Sequence, residues 1–138
     1  TTVYQPQISA DGQRFPSFRG LSGKWDSGAE YIALFPNVLL GVHHDHAFAI
    51  LLLPDGSGRT HEQVEIYYAD EAVRGEEFAA MRATNTEMWR TVFAEDVMVV
   101  EGMQRGRHAP GYDGGKFSAV MDAPTHHFHC WVAASLSR

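Results

Sequence analysis

Residues 71–106 read EAVRGEEFAAMRATNTEMWRTVFAEDVMVVEGMQRG, and the period of this stretch decides the fold. It contains no proline and closes on Gly106, so it predicts helix, with Asp70 as N-cap and Glu71 in the first turn. A break near residues 83–86, giving two helices, is compatible with the pattern. At about 100° per residue, Trp89, Val92, Phe93, Val99, Val100 and Met103 share one face. Asp96 falls in the middle of that face. An ionised carboxylate in apolar surroundings is costly unless it is neutralised, paired or bound to a metal. Three readings follow for Asp96: a wet groove, an ion pair with Arg90 or Arg105, or a metal site. Glu95 beside it reads as solvated, and Glu101 and Gln104 fall on a flank.

Upstream of this helix the period is that of strands. YIALFPNVLLGV (31–42) is apolar and β-leaning, with an interruption at Pro36 and Asn37. HHDH (43–46) is a polar interval and AFAILLLP (47–54) is apolar again. DGSGRT (55–60) is a turn cluster, and HEQVEIYYA (61–69) alternates, with Val64, Ile66 and Tyr68 on one side. The expectation is an antiparallel meander of three strands. Residues 1–29 read as irregular chain with one short strand at most. Downstream, 108–115 is a loop, KFSAVMD (116–122) is a short strand or part of that loop, and Pro124 opens a final helix over 125–136. The order β-β-β, long helix, loop, short helix predicts an α+β fold with the long helix on an antiparallel sheet.

The 138 residues predict one domain able to bury a core, and the 44% hydrophobic, 20% charged composition is that of a globular chain. The longest apolar run, 47–53, is too short to span a bilayer, and no signal-peptide pattern opens the chain. A formal net charge of −6 argues against a nucleic-acid partner. Cys130 is the only cysteine, which excludes an internal disulfide and cysteine-rich metal sites and makes a reducing, cytoplasmic compartment the default expectation.

Eight histidines are many for this length. On a strand, His44 and His46 would point the same way and could chelate a metal, whereas in a turn they are solvated, the favoured reading. His126, His129 and Cys130 recur at i, i+3 and i+4 and could contribute to a zinc site. The plainer reading puts His129 on the buried face of the last helix.

FAEDVMVVEGMQRG (93–106), followed by GYDGGKFSAVMD and HHFHCWVAASL, resembles the C-terminal part of the oxygenase α-subunit of Rieske non-haem iron oxygenases. LFPNVLLGV upstream is similar to that family too. These are the ring-hydroxylating dioxygenases and their relatives that demethylate or cleave quaternary amines. The family pattern is an acid pair, a Glu five residues after the second acid, and a Gln-Arg/Lys-Gly step; here these are Glu95–Asp96, Glu101 and Gln104-Arg105-Gly106. The resemblance covers roughly residues 20–136.

The resemblance implies a helix-grip (START/SRPBCC-like) catalytic domain. It implies that Asp96 is the carboxylate ligand of a mononuclear Fe(II), held by two His and one carboxylate. It makes Val99, Val100 and Met103 candidate walls of an apolar substrate pocket, although core packing is at least as good a reading of each. It implies hydroxylation or oxidative demethylation of an aromatic or quaternary-amine small molecule with O₂. Electrons would come from a reductase or ferredoxin through a [2Fe–2S] Rieske cluster, in a homotrimer.

The family's His-x4-His pair is missing from this chain, and a single cysteine cannot hold the Rieske cluster. The expectation is therefore that residues 1–138 are the C-terminal part of a larger catalytic domain, without the Rieske domain and inactive as an isolated piece. The rival is a non-enzymatic helix-grip domain that binds an apolar small ligand, with Asp96 as a polar anchor. A His/Asp hydrolase ranks below both, because no nucleophile elbow is present. An aromatic box for a cation, built from Trp25, Tyr31 or Tyr112, is conceivable, but packing is the better reading of each. Substrate identity lies beyond the sequence.

Overall fold

The computed structural model describes residues 2–137. It forms an antiparallel sheet of five strands in the order β1-β2-β3-β4-β5. The strands are β1 (Thr2–Val3), β2 (Gly28–Leu34), β3 (Val38–Val42), β4 (His46–Pro54) and β5 (Thr60–Tyr68). Two short 3₁₀ turns, Glu71–Arg74 and Glu76–Phe78, lead into helix α1 (Ala79–Arg107), and a loop leads to helix α2 (Ala123–Leu136). The chain divides into two compact units, Thr1–Thr91 and Val92–Arg138.

The α+β class and the meander are as expected, with one correction. The apolar run 31–42 is two strands and not one interrupted strand. Phe35, Pro36 and Asn37 form a hairpin turn, with Leu34 paired to Val38 and Tyr31 to Gly41. The turn is tied to β4: Asn37 Nδ2 donates to the Leu52 carbonyl at 3.0 Å, and Leu52 N–H donates to the Asn37 carbonyl at 2.9 Å.

Asp70 does cap, its side chain accepting from Ala72 N–H at 2.9 Å, but the helix it caps is a 3₁₀ turn. Gly75, and not residues 83–86, separates the 3₁₀ turns, and α1 runs on through 83–86. Residues 116–122 are loop and turn. Pro124 lies in the first turn of α2, where its missing N–H is no loss.

In the first unit the core lies where the chain crosses from β5 into α1. Phe15, Val73, Phe78 and Met81 are buried together, with Tyr68 packed against them. Higher on the same sheet face, Phe48 lies over Gly41. A Cβ built on Gly41 would meet the Phe48 ring at 2.3 Å, so this strand position has room only for glycine.

In the second unit, the Phe117 ring meets His126 and His129 edge-on at 5.1 Å, and Phe128 stacks on Trp131. His129 is exposed, against the expectation that it lies on a buried face. Cys130 Sγ approaches His126 Nε2 at 3.7 Å and is exposed as well. Among the described residues no helix is long and apolar enough to cross a membrane.

Candidate functional site

Two polar centres arise from this fold, one in each unit. In the second unit, Asp96 sits on α1 with Val97, Val99 and Val100 around it. The stripe is exposed: Val99 at 57%, Val100 at 62% and Met103 at 57%, with Asp96 exposed among them. Burial of this face, which the helical period predicts, is therefore not found. An apolar stripe is buried only where a second surface covers it. The described residues supply that cover for Trp89 (6% exposed) and not for 96–103.

Nor does Asp96 take either proposed ion pair among the described residues. Arg90 pairs with Glu87 at 3.5 Å and Arg105 with Glu101 at 3.8 Å, each one helical turn away. The aromatic residues considered for a cation box are engaged separately. Lys24 Nζ lies 5.2 Å over Trp25, Tyr31 lies against His43 and Phe48, and Tyr112 donates to the Gly114 carbonyl.

The second centre is buried in the first unit, and the sequence reading did not assemble it. His44 and Asp45 are the two residues of a tight turn between β3 and β4, closed by His43 N–H to the His46 carbonyl at 2.9 Å. A two-residue turn sets its flanking residues opposite each other with side chains on the same face. So His43 and His46 meet, with rings stacked at 4.7 Å and 12°. The pair anticipated for a continuous strand, His44 and His46, separates: His44 turns toward the Trp25 carbonyl and Asp26. The solvated turn expected here is instead among the most buried parts of the chain, with His43 and His46 at 0% and Asp45 at 1% exposure.

Each hydrogen bond in this centre constrains the next. Trp89 Nε1–H lies 2.8 Å from His46 Nε2. An indole N–H only donates, so His46 Nε2 carries the lone pair and the ring is neutral, protonated on Nδ1. That Nδ1–H donates to Asp45 Oδ1 at 2.7 Å. Asp45 also accepts from the Tyr4 hydroxyl at 3.1 and 3.3 Å. Burial pushes the Asp45 carboxyl up, but the His46 and Tyr4 donors outweigh it and hold it below the ordinary value. Burial, then the Asp45 charge, raise the Tyr4 phenol well above its usual range.

His43 is less well served. The Tyr31 hydroxyl faces its Nε2 at 3.4 Å, and its buried Nδ1 has no hydrogen-bond partner among the described residues. Burial first, and then His46, push its pKa down to about 4 against the pull of Asp45. Asn85, one turn before Trp89, donates to the Tyr68 hydroxyl at 3.1 Å, and its buried Oδ1 has no hydrogen-bond partner among the described residues.

This buried centre is not a metal site. Both nitrogens of His46 are committed, and Asp45 already holds two donors. Nowhere do the described residues gather three His, Cys, Asp or Glu side chains able to hold an ion. By themselves they do not fit a mononuclear iron, which needs two His and a carboxylate on one face.

A family model described as "Ring hydroxylating alpha subunit (catalytic domain)" matches residues 2–138. The chain belongs to this family. Its relatives include choline monooxygenase, chloroplastic, of Arabidopsis thaliana, 34% identical over 110 residues, which cover 80% of this chain and 25% of that protein. Putrescine 2-hydroxylase of Ralstonia nicotianae is 34% identical over 110 residues, 75% of this chain and 29% of that protein. Choline monooxygenase, chloroplastic, of Spinacia oleracea is 40% identical over a shorter stretch of 42 residues, 30% of this chain and 10% of that protein. The chain thus spans at most roughly a quarter to three tenths of the length of these relatives. No solved structure matches it.

The ring-hydroxylating, Rieske-type oxygenase family is therefore the one the acid-pair pattern on α1 pointed to.

Proposed function

We propose that this chain is part of the catalytic domain of a Rieske-type oxygenase, and that Asp96 supplies the carboxylate ligand of its mononuclear Fe(II). The observation that carries this reading is the family match over residues 2–138, within which Glu95–Asp96, Glu101 and Gln104-Arg105-Gly106 lie on one continuous helix. The two histidine ligands and the [2Fe–2S] cluster would come from outside residues 1–138. In that setting the sheet with its crossing helix is a helix-grip domain, and Val99, Val100 and Met103 are pocket walls once a covering surface is present.

Asp96 would serve as a ligand and not as a general base: a carboxylate bound to a cation is a poor proton acceptor. O₂ activation would be the iron's chemistry. The chain's own residues would hold one ligand in place and keep water from the substrate. Choline and putrescine, in the names of two relatives, are both amines, so an amine-bearing small molecule is the preferred substrate class. An electron-donating reductase or ferredoxin and a homotrimer complete the proposal, together with a cytoplasmic location.

The test is made on the whole protein. Iron should be present at one mononuclear ion per subunit beside a Rieske electron-paramagnetic-resonance signal, and O₂ uptake should depend on an amine substrate. A whole protein that binds an apolar ligand but holds neither metal centre would instead establish the carrier reading and refute this one.

A further inference from the structure

Three places in the fold carry chemistry that the oxygenase reading does not use. Ile32 and Leu34 on β2 and Tyr67 on β5 are exposed on one face of the sheet, and nothing identifies an occupant for it. Cys130 and His126 on α2 are two donors without a third among the described residues. The buried histidine pair of the first unit carries an argument through.

The pair sits where α1 is fastened to the sheet. Trp89 reaches from the helix to His46 on β4, and the hydrogen bond exists only while His46 Nε2 keeps its lone pair. A proton placed there would set two donors facing each other. His46 cannot turn away, because its other nitrogen is held by Asp45, itself held by Tyr4.

His43 is the weak point of the arrangement. Its ring lies 4.7 Å from His46, 5.0 Å from Trp89 and 4.7 Å from Tyr4, a wedge among the rings that form the attachment. It is wholly buried, and its Nδ1 has no hydrogen-bond partner among the described residues. Its Nε2 faces the hydroxyl of Tyr31, a half-exposed residue of β2.

The titratable and charged groups around the pair come from every neighbouring element. They are Tyr4 after β1, Tyr31 on β2, Asp45 in the turn, Tyr68 on β5 and, beyond Tyr68, Arg82 on α1. The only carboxylate among them is Asp45, and its two oxygens already accept from His46 and Tyr4. A charged His43 would thus have to reach water, and doing so opens the wedge.

We propose that the stacked pair His43 and His46, with Asp45, is a proton-operated latch: neutral, it holds Trp89 and the start of α1 on the sheet, and proton uptake releases them. The latch is independent of the iron reading and lies wholly within the first unit. His43 is pushed down by burial to about 4, which places release in acid, below neutral pH.

The test follows the indole N–H of Trp89 by NMR in the full chain as pH falls, with Trp89→Phe assigning the resonance and far-UV circular dichroism reporting the helices. The expected result is a drop of at least about tenfold in protection of that N–H from solvent exchange as pH falls from about 5.5 to 4, with the helical signal unchanged. His43→Gln, which cannot take the proton, should move the midpoint down by about one pH unit or more. An unmoved midpoint in His43→Gln overturns the latch, and so does loss of protection only together with the whole helical signal. If His43→Gln does not fold, the ring resonances of His43 in the unaltered chain decide: their titration must coincide with release of Trp89, and a separation of more than about half a pH unit refutes the proposal.

Discussion

Trp89 donates its indole N–H to His46 Nε2 across 2.8 Å, and through this one bond the sequence-distant α1 and β4 are joined at a buried point. Both partners are buried, so the bond cannot be exchanged for one to water if either is removed. Trp89→Phe keeps an aromatic ring but deletes the donor, leaving His46 Nε2 unpaired in the interior. The expected cost is about 2 kcal/mol of unfolding free energy, read from urea denaturation at neutral pH. A change within about 0.5 kcal/mol, the range of surface substitutions, would show that the bond contributes nothing.

Gly41 and Phe48 face each other on β3 and β4, with the Phe48 ring filling the place of a Gly41 side chain. Gly41→Ala puts a methyl group about where Phe48 Cζ already is. Overpacking of this kind costs about 1–3 kcal/mol. Phe48→Leu on its own leaves a cavity, but in combination with Gly41→Ala it removes the clash. The pair should therefore be less destabilising than the sum of the two single changes, by at least about 0.5 kcal/mol in a double-mutant cycle. Strict additivity would mean that the contact does not constrain position 41.

Acid should weaken the fold in two steps of known sign. His43 is pushed down to about 4 in the folded chain from an ordinary 6.5, so below 6.5 the unfolded state binds more protons than the folded one. Its contribution is complete above about pH 6.5 and is lost as pH falls from there to about 4. The shift corresponds to about 3 kcal/mol. Asp45 is held below its ordinary 3.8, so its contribution persists above that value and disappears only at still lower pH. Urea midpoints measured from pH 7.5 to 4 should fall, and His43→Gln should flatten the fall. If stability is level between pH 6.5 and 4.5 in the unaltered chain, the burial ascribed to His43 is wrong.

The parts of the fold that could be read from the sequence are those in which local pattern and tertiary environment agree. The alternation of 61–69 became β5, and Pro124 marks the first turn of α2. Pro36 and Asn37 were harder to read because apolar residues flank them on both sides, so two strands joined by a tight turn carry the pattern of one. The histidine pair was hidden for a related reason. HHDH is polar, and polar residues at a turn are solvated by default. Only the two-residue length of the turn sets His43 opposite His46, and residues distant in sequence help to bury them, Tyr4 from one side of the chain and Trp89, 43 positions after His46, from the other. The family was legible in the acid-pair pattern that contains Asp96. The exposure of Asp96 was not, because a helical period shows which residues share a face and not whether anything lies on that face.

Asp96 yields the prediction on which the oxygenase reading depends. The residue is exposed, and Asp96→Ala removes no hydrogen bond or ion pair found among the described residues. Unfolding free energy should change by no more than about 0.5 kcal/mol, the ordinary range for such a surface position. In the whole protein the same substitution takes one of three donors from the mononuclear site. Iron at that site and substrate-dependent O₂ uptake should both be lost, while the Rieske signal remains. Asp96→Glu keeps the charge but lengthens the arm by one methylene, and should retain some iron with reduced turnover. Glu95→Ala, one residue away and about 100° around the helix, should keep both iron and activity. If Asp96→Ala held its full complement of iron and Glu95→Ala lost it, the ligand would be the neighbouring acid.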